Sequence, residues 1–172
     1  MNLRNFFALV GTVGLLSGNL SLQAHEVILQ GNGKLAKVDA EGKITWEMPW
    51  GGIHDIHVLP SGNIMVQEKM RKIVEINPKT KEIVWSYDCS TSNGNEGKKL
   101  EVHAFQPLTN GNVMIAESGP ARIIEINRSG KLLKELKLKI DSPHPHTDTR
   151  LARKLENGHY LACHESDGTL RE

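Results

Sequence analysis

The chemistry this chain can offer rests first on its histidines, eight in 172 residues. His54, His103 and His146 each stand near the start of a short apolar run, and the runs resemble one another. Neutral imidazole nitrogens ligate transition metals. Near neutral pH the same groups shuttle protons or act as nucleophiles. Arg150 lies close by in the sequence and offers a planar fork of donors that suits an anion. His54, His103, His146 and Arg150 are therefore the candidate catalytic residues, and the three histidines are also the candidate ligands of a divalent metal. His57 and His144 are second choices, each within three residues of a first. Against this stands a plainer role: imidazoles at strand ends hydrogen-bond to neighbouring elements. His164-Glu165 is an unrepeated pair that a surface loop accounts for equally well.

Whether these side chains meet depends on the elements that carry them, and those elements repeat. His54-Asp55-Ile56-His57-Val58-Leu59-Pro60-Ser61-Gly62-Asn63-Ile64-Met65-Val66 is echoed by His103-Ala104-Phe105-Gln106-Pro107-Leu108-Thr109-Asn110-Gly111-Asn112-Val113-Met114-Ile115. A looser third copy runs from Arg150 to Cys163 around Asn157-Gly158-His159. The glycines are 49 and 47 residues apart. A period of this length, filled with short apolar runs and turn residues, marks propeller blades. The most complete unit predicts four strands over 53–59, 64–67, 72–76 and 82–87, with turns at Pro60–Asn63 and Asn77–Lys81 whose Pro and Gly preset the backbone. The next unit predicts strands over 103–108, 113–117, 122–126 and 131–138. Glu68, Glu117 and Glu165 recur after the second strand, and Glu75, Glu125 and Glu172 in the third, as repeated structural contacts do. In this register His54 and His103 precede their glycines by eight residues and His146 precedes Gly158 by twelve. If the inner strands start at one end of the axis, the three histidines face a common funnel.

The expected fold is all-β, a partial propeller of about three four-stranded blades. The first blade enters at its second strand (27–30) and the last stops in its third (169–172). Closed propellers hold about four to eight blades, so the pattern reads as a fragment of a longer ring.

Two domains of unequal kind follow. Residues 1–24 read as a secretory signal peptide: Arg4, an apolar stretch over 6–16, then Leu22-Gln23-Ala24 as a small-residue cleavage site. Residues 25–172 form the propeller domain, exported to the periplasm or the cell exterior, with no span that crosses a membrane. A formal net charge of +1 favours no nucleic acid. Export makes a bridge between Cys89 and Cys163 chemically open, but the two occupy different places in the repeat, and neither lies in a CxxC pattern.

Asp39-Ala40-Glu41-Gly42-Lys43-Ile44-Thr45-Trp46 and Asn77-Pro78-Lys79-Thr80-Lys81-Glu82-Ile83-Val84-Trp85 resemble the D-x-x-G-K-x-x-W blade motif of PQQ-like (quinoprotein-like) β-propellers. The chain resembles an exported bacterial PQQ-like or arylsulfotransferase-like repeat protein over essentially all of 27–172. The resemblance implies that Trp46 and Trp85 pack between blades, with Leu133 near the third such position. Quinone-binding members pair a calcium ion with a catalytic Asp and often vicinal cysteines. This sequence shows neither feature, so no PQQ is expected, and a divalent metal is the remaining cofactor candidate. Sulfotransferase-like members use axial His and Arg. The leading functional expectation is a noncatalytic extracytoplasmic scaffold for a protein, glycan or small-molecule ligand. The alternative is a propeller enzyme, sulfotransferase- or lyase-like, that works through the axial histidines with or without a metal.

Overall fold

A computed structural model describes residues 25–172. The signal peptide expected at 1–24 lies outside the described residues. The described residues form fourteen strands in four antiparallel sheets, each a simple meander. The first holds β1 (Val27–Gly31), β2 (Lys34–Val38) and β3 (Ile44–Pro49). The second holds β4 (Ile56–Val58), β5 (Ile64–Glu68), β6 (Lys72–Asn77) and β7 (Glu82–Asp88). The third holds β8 (Glu101–Pro107), β9 (Val113–Ser118), β10 (Arg122–Ile126) and β11 (Leu132–Lys137). The fourth holds β12 (Thr149–Lys154), β13 (Tyr160–His164) and β14 (Thr169–Arg171). Two complete blades thus stand between two three-stranded ones, as the repeat predicts. A single 3-10 turn, Cys89–Thr91, is the only helical element among the described residues.

The hairpins joining first to second strands are built alike. Leu59, Leu108 and Leu155 each donate their N–H across the turn, to Asn63, Asn112 and His159, and accept from Gly62, Gly111 and Gly158. The three glycines have φ of +84°, +83° and +86°. That region costs a residue with a Cβ about 1–2 kcal/mol, which explains glycine at all three. The loose third repeat is therefore a true copy.

The middle strands of the two complete blades are buried on both faces, so they read as largely apolar runs rather than alternations. In β5, Ile64 and Val66 pack toward Leu35 of the first blade, while Met65 packs toward Phe105 and Ile115 of the third. Ala104, Met114 and Ile123 meet Ala152, Tyr160 and Ala162 across the last interface. The outermost strands face solvent, and most of β11 is exposed.

The motif tryptophans bridge blades as the resemblance implies. The Trp46 indole N–H donates to Pro78 O at 2.7 Å, and that of Trp85 donates to Arg128 O at 2.7 Å, the same corner of the next blade each time. The third such position is Lys134, paired with Glu125 as Trp85 is paired with Glu75, and Leu133 beside it is exposed. Lys134 holds its ammonium 4.7 Å from the Tyr160 ring centroid, so a cation over an aromatic ring replaces an indole.

Two further expectations change. The inner strand of the second blade starts at Ile56 rather than Ile53, because the Gln67 carboxamide oxygen takes the N–H groups of His54 (2.9 Å) and Asp55 (2.8 Å). His164 occupies the place of Glu117 in the last blade: it pairs with Thr149 in β12, and Glu165 falls in the turn beyond. It is buried at the end of β13 and not in a surface loop. Cys89 and Cys163 are both free thiols, on the 3-10 turn and in β13.

Candidate functional site

His103 is the centre of the cluster. It sits at the start of β8 where a bulge interrupts pairing with β9 between Val102 and Ala104. A bulge re-aims one side chain. Here it sends His103 to the axial end, where it is fully buried. His54 reaches it from the loop before β4, with ring centroids 4.6 Å apart and an edge-on angle of 86°. His146 reaches it from the loop before β12, at 5.7 Å and 74°. The three histidines thus lie together, although they belong to three successive blades.

Arg150 is the residue equivalent to His54 and His103, eight residues before Gly158, and β12 bulges there as β8 does at His103. Its Nη1 lies 3.3 Å from His103 Nδ1 and donates to His146 O at 3.0 Å. Its Nε meets the Glu165 carboxylate at 2.7 Å. His146 is a loop residue that arrives beside the repeat position, which accounts for its odd register. The Pro143-His144-Pro145-His146 loop is held by Asp148, whose carboxylate accepts from His144 N at 2.7 Å. His144 itself accepts from His146 N at 3.2 Å and shapes this loop.

Glu101 is the site residue that sequence reasoning missed. Its Oε2 lies 2.9 Å from His146 Nδ1 and 3.3 Å from His103 Nε2. The sequence signal is weak: Glu101 lies two residues before His103, but the bulge at His103 breaks the alternation that spacing alone would predict. One ligand atom each from Glu101, His103 and His146 fall within 4.8 Å of one another.

The electrostatics follow from this crowding. Burial, then the Arg150 guanidinium and His54, push the His103 imidazole down to about 4. His54 is exposed along one edge, yet contact with His103 strips part of its water. That desolvation, followed by Arg150, holds it below its ordinary value. Both rings are therefore neutral at pH 7 with lone pairs available. His103, His54 and Glu101 suit a metal or a proton relay, and Arg150 suits an anion. The set does not suit a quinone: none of the five side chains offers a broad aromatic face, and Cys89 and Cys163 sit on separate elements.

Deeper along the axis a second group ties the blades together. Asp55, buried, accepts from Arg153 at 2.7 and 3.0 Å and from Phe105 N at 3.2 Å. His57 lies 3.3 Å from Asp55 and 2.8 Å from Phe105 O. Burial pushes the Asp55 carboxyl up, but hydrogen bonds from His57 and Arg153 outweigh it and hold it below the ordinary carboxylate value. His57, second choice by sequence, is thus a strut between inner strands.

At the opposite end, between the Pro60 and Leu108 hairpins, a cleft of about 510 Å3 is lined by Val58, Leu59, Met65, Leu108 and Arg128.

Comparison with known proteins agrees with this architecture. The family model PQQ_2, described as outer membrane protein assembly factor BamB, matches residues 31–171. No curated protein matches the chain. Among solved structures it is similar to a protein of unknown function from Bacteroides caccae, with a TM-score of 0.66 and 20% identity, over 87% of this chain and 57% of that one. It is also similar to the WD40 β-propeller domain of Doa1 (TM-score 0.63, 14% identity, 88% and 47% covered). Streptogramin B lyase is a third (TM-score 0.59, 15% identity, 86% and 50% covered). At these identities the likeness is one of fold. The chain spans about half the length of these structures. No helix among the described residues is long and apolar enough to cross a membrane.

Proposed function

Because the chain belongs to the PQQ_2 family of propellers, described as outer membrane protein assembly factor BamB, we propose that it is an extracytoplasmic binding propeller that holds a polar ligand at the axial cluster. The observation that carries this reading is convergence. His54, His103, Arg150, His146 and Glu101 come from three blades and meet where three inner strands begin. The repeat position held by His54 and His103 carries Arg150 in the last blade, so the set is not uniform from blade to blade. The family description supports a protein that holds partners, and the leader-like residues 1–24 support export. The test is a chemical-shift titration of the 15N-labelled protein with inorganic phosphate, acetate and a hexose, with a chelator present throughout. At least one probe shifts Glu101, His103, His146 and Arg150 together. Shifts confined to the cleft between the Pro60 and Leu108 hairpins, or scattered over the surface, would overturn the reading.

A second reading, a sulfotransferase- or lyase-like enzyme, is favoured by one contact. The 2.9 Å Glu101–His146 pair is the arrangement in which a carboxylate orients an imidazole for proton transfer. Release of nitrophenol from nitrophenyl sulfate with a phenol acceptor, lost in His146→Ala while phosphate or acetate still binds, would select it over simple binding.

A further inference from the structure

We propose that Glu101, His103 and His146 form a binding site for a divalent transition metal of the zinc class, open toward His54. The inference rests on the binding role of the axial cluster and names what that cluster holds.

The donor set is two imidazole nitrogens and one carboxylate oxygen, a combination that zinc accepts in sites with an open position. With metal–ligand bonds of about 2.1 Å, tetrahedral geometry sets ligand atoms about 3.4 Å apart. Glu101 Oε2 already stands 3.3 Å from His103 Nε2 and 2.9 Å from His146 Nδ1. All three atoms lie within 4.8 Å of one another, so closing the site needs only a small swing of His146. That swing is free, because the His146 side chain is 58% exposed, whereas His103 is fixed by burial. On taking a metal His103 Nε2 gives up its contacts to Pro145 O at 3.3 Å and Arg150 Nη1 at 3.4 Å, and its ring proton moves to Nδ1, which ends the 3.3 Å contact there from Arg150. His54, edge-on to His103, borders the open position.

Arg150 is the one group that opposes a cation here, with its Nη1 3.3 Å from His103 Nδ1. Its charge is partly met by Glu165 at 2.7 Å, and Glu101 adds a second carboxylate to the cluster. The arrangement therefore admits a dication at reduced affinity and leaves a guanidinium beside it. This gives a signature that a purely structural role for Arg150 does not: Arg150→Met tightens binding of the metal alone.

The experiment titrates the protein with Zn2+ by calorimetry and with Co2+ by visible absorption. One ion per chain is expected, with the Co2+ band of a low-coordinate site. Glu101→Gln and His146→Ala each weaken Zn2+ binding by about tenfold or more, the scale of losing a ligand or its support. Both leave the metal-free melting curve cooperative. His159→Ala, on an exposed pair with Glu172, leaves affinity unchanged. Absence of stoichiometric binding, or wild-type affinity in His146→Ala, overturns the metal site. If metal binding fails while phosphate or acetate still shifts the axial residues in chelator, the metal proposal falls and the binding role stands. If both fail, the cluster is structural.

Discussion

Removing the guanidinium of Arg122 should be the most damaging single polar change in this protein. Arg122 starts β10 at the interface between the second and third blades. Its Nε donates to Glu117 Oε2 at 2.6 Å, and its Nη2 donates to Asn93 O and Asn95 Oδ1, each at 3.0 Å. The contact to Glu135 is longer, 3.4 Å, and partly exposed, so it is worth at most about 1 kcal/mol. Glu117 is fully buried and keeps only Asn95 Nδ2, at 2.9 Å, once Arg122 is gone. An uncompensated buried charge of this kind costs about 3–5 kcal/mol. Total stability of an ordinary domain is about 5–15 kcal/mol, so Arg122→Met leaves a marginal fold at neutral pH.

The pH dependence gives an internal check. Burial already pushes the Glu117 carboxyl above its ordinary value, against the hydrogen bonds from Asn95 and Arg122. The native state thus holds this proton more tightly than the unfolded chain. Its contribution is fully present below the ordinary glutamate range and is lost as pH rises through the raised value. Arg122→Met removes a group that lowers the value, so the deficit is largest near pH 8 and shrinks toward pH 5. Urea unfolding of wild type, Arg122→Met, Glu117→Gln and the double variant at both pH values measures this. Because Glu117→Gln removes the stranded charge, the double variant should recover about 1–3 kcal/mol relative to additivity. A loss under about 1 kcal/mol in Arg122→Met, or strict additivity, would refute the reasoning, since desolvation of Glu117 would then not be the controlling cost.

Gly119 has φ of +91°, and a Cβ there would lie 2.3 Å from Lys99 O, so Gly119→Ala combines backbone strain with a backbone clash. It should lower stability by more than the about 1–2 kcal/mol expected of the φ alone, read by urea unfolding. Gly62→Ala, Gly111→Ala and Gly158→Ala meet nothing within 4 Å and share one φ, so their losses should be about equal, near 1–2 kcal/mol each. A much smaller loss at Gly158 would break the equivalence of the last hairpin. Trp85→Phe keeps an apolar ring but loses the bond to Arg128 O and weakens the Arg128 guanidinium's stacking at 4.1 Å. About 1–2 kcal/mol is expected from the two together, measured the same way. Cys89, buried with its thiol pushed well up chiefly by burial, should resist a thiol reagent in the native protein while the partly exposed Cys163 reacts. Equal rates would contradict the packing around Cys89.

Strand order, hairpin turns and the entry and exit of the chain within blades were legible in the sequence, because each depends on interactions only a few residues apart. Period-two alternation, a glycine at +84° in a tight turn and an Asn or Asp that caps its own turn are local events, and they repeat about every 48 residues. The repeat also put His54 and His103 at one register position, so their meeting was open to inference. Tertiary packing decided the rest. Glu101 joins His103 and His146 only because one bulge turns β8 at its first residues and a loop of two prolines brings His146 back 45 residues later. Arg150 takes the repeat place that His146 was expected to fill, through a matching bulge in β12. Asp55 finds Arg153 across 98 residues, a pairing no local pattern encodes. Backbone geometry is set by neighbours in sequence. A site on a propeller axis is set by the neighbours each blade acquires when it packs against the next, and there charge, burial and hydrogen bonding are fixed together.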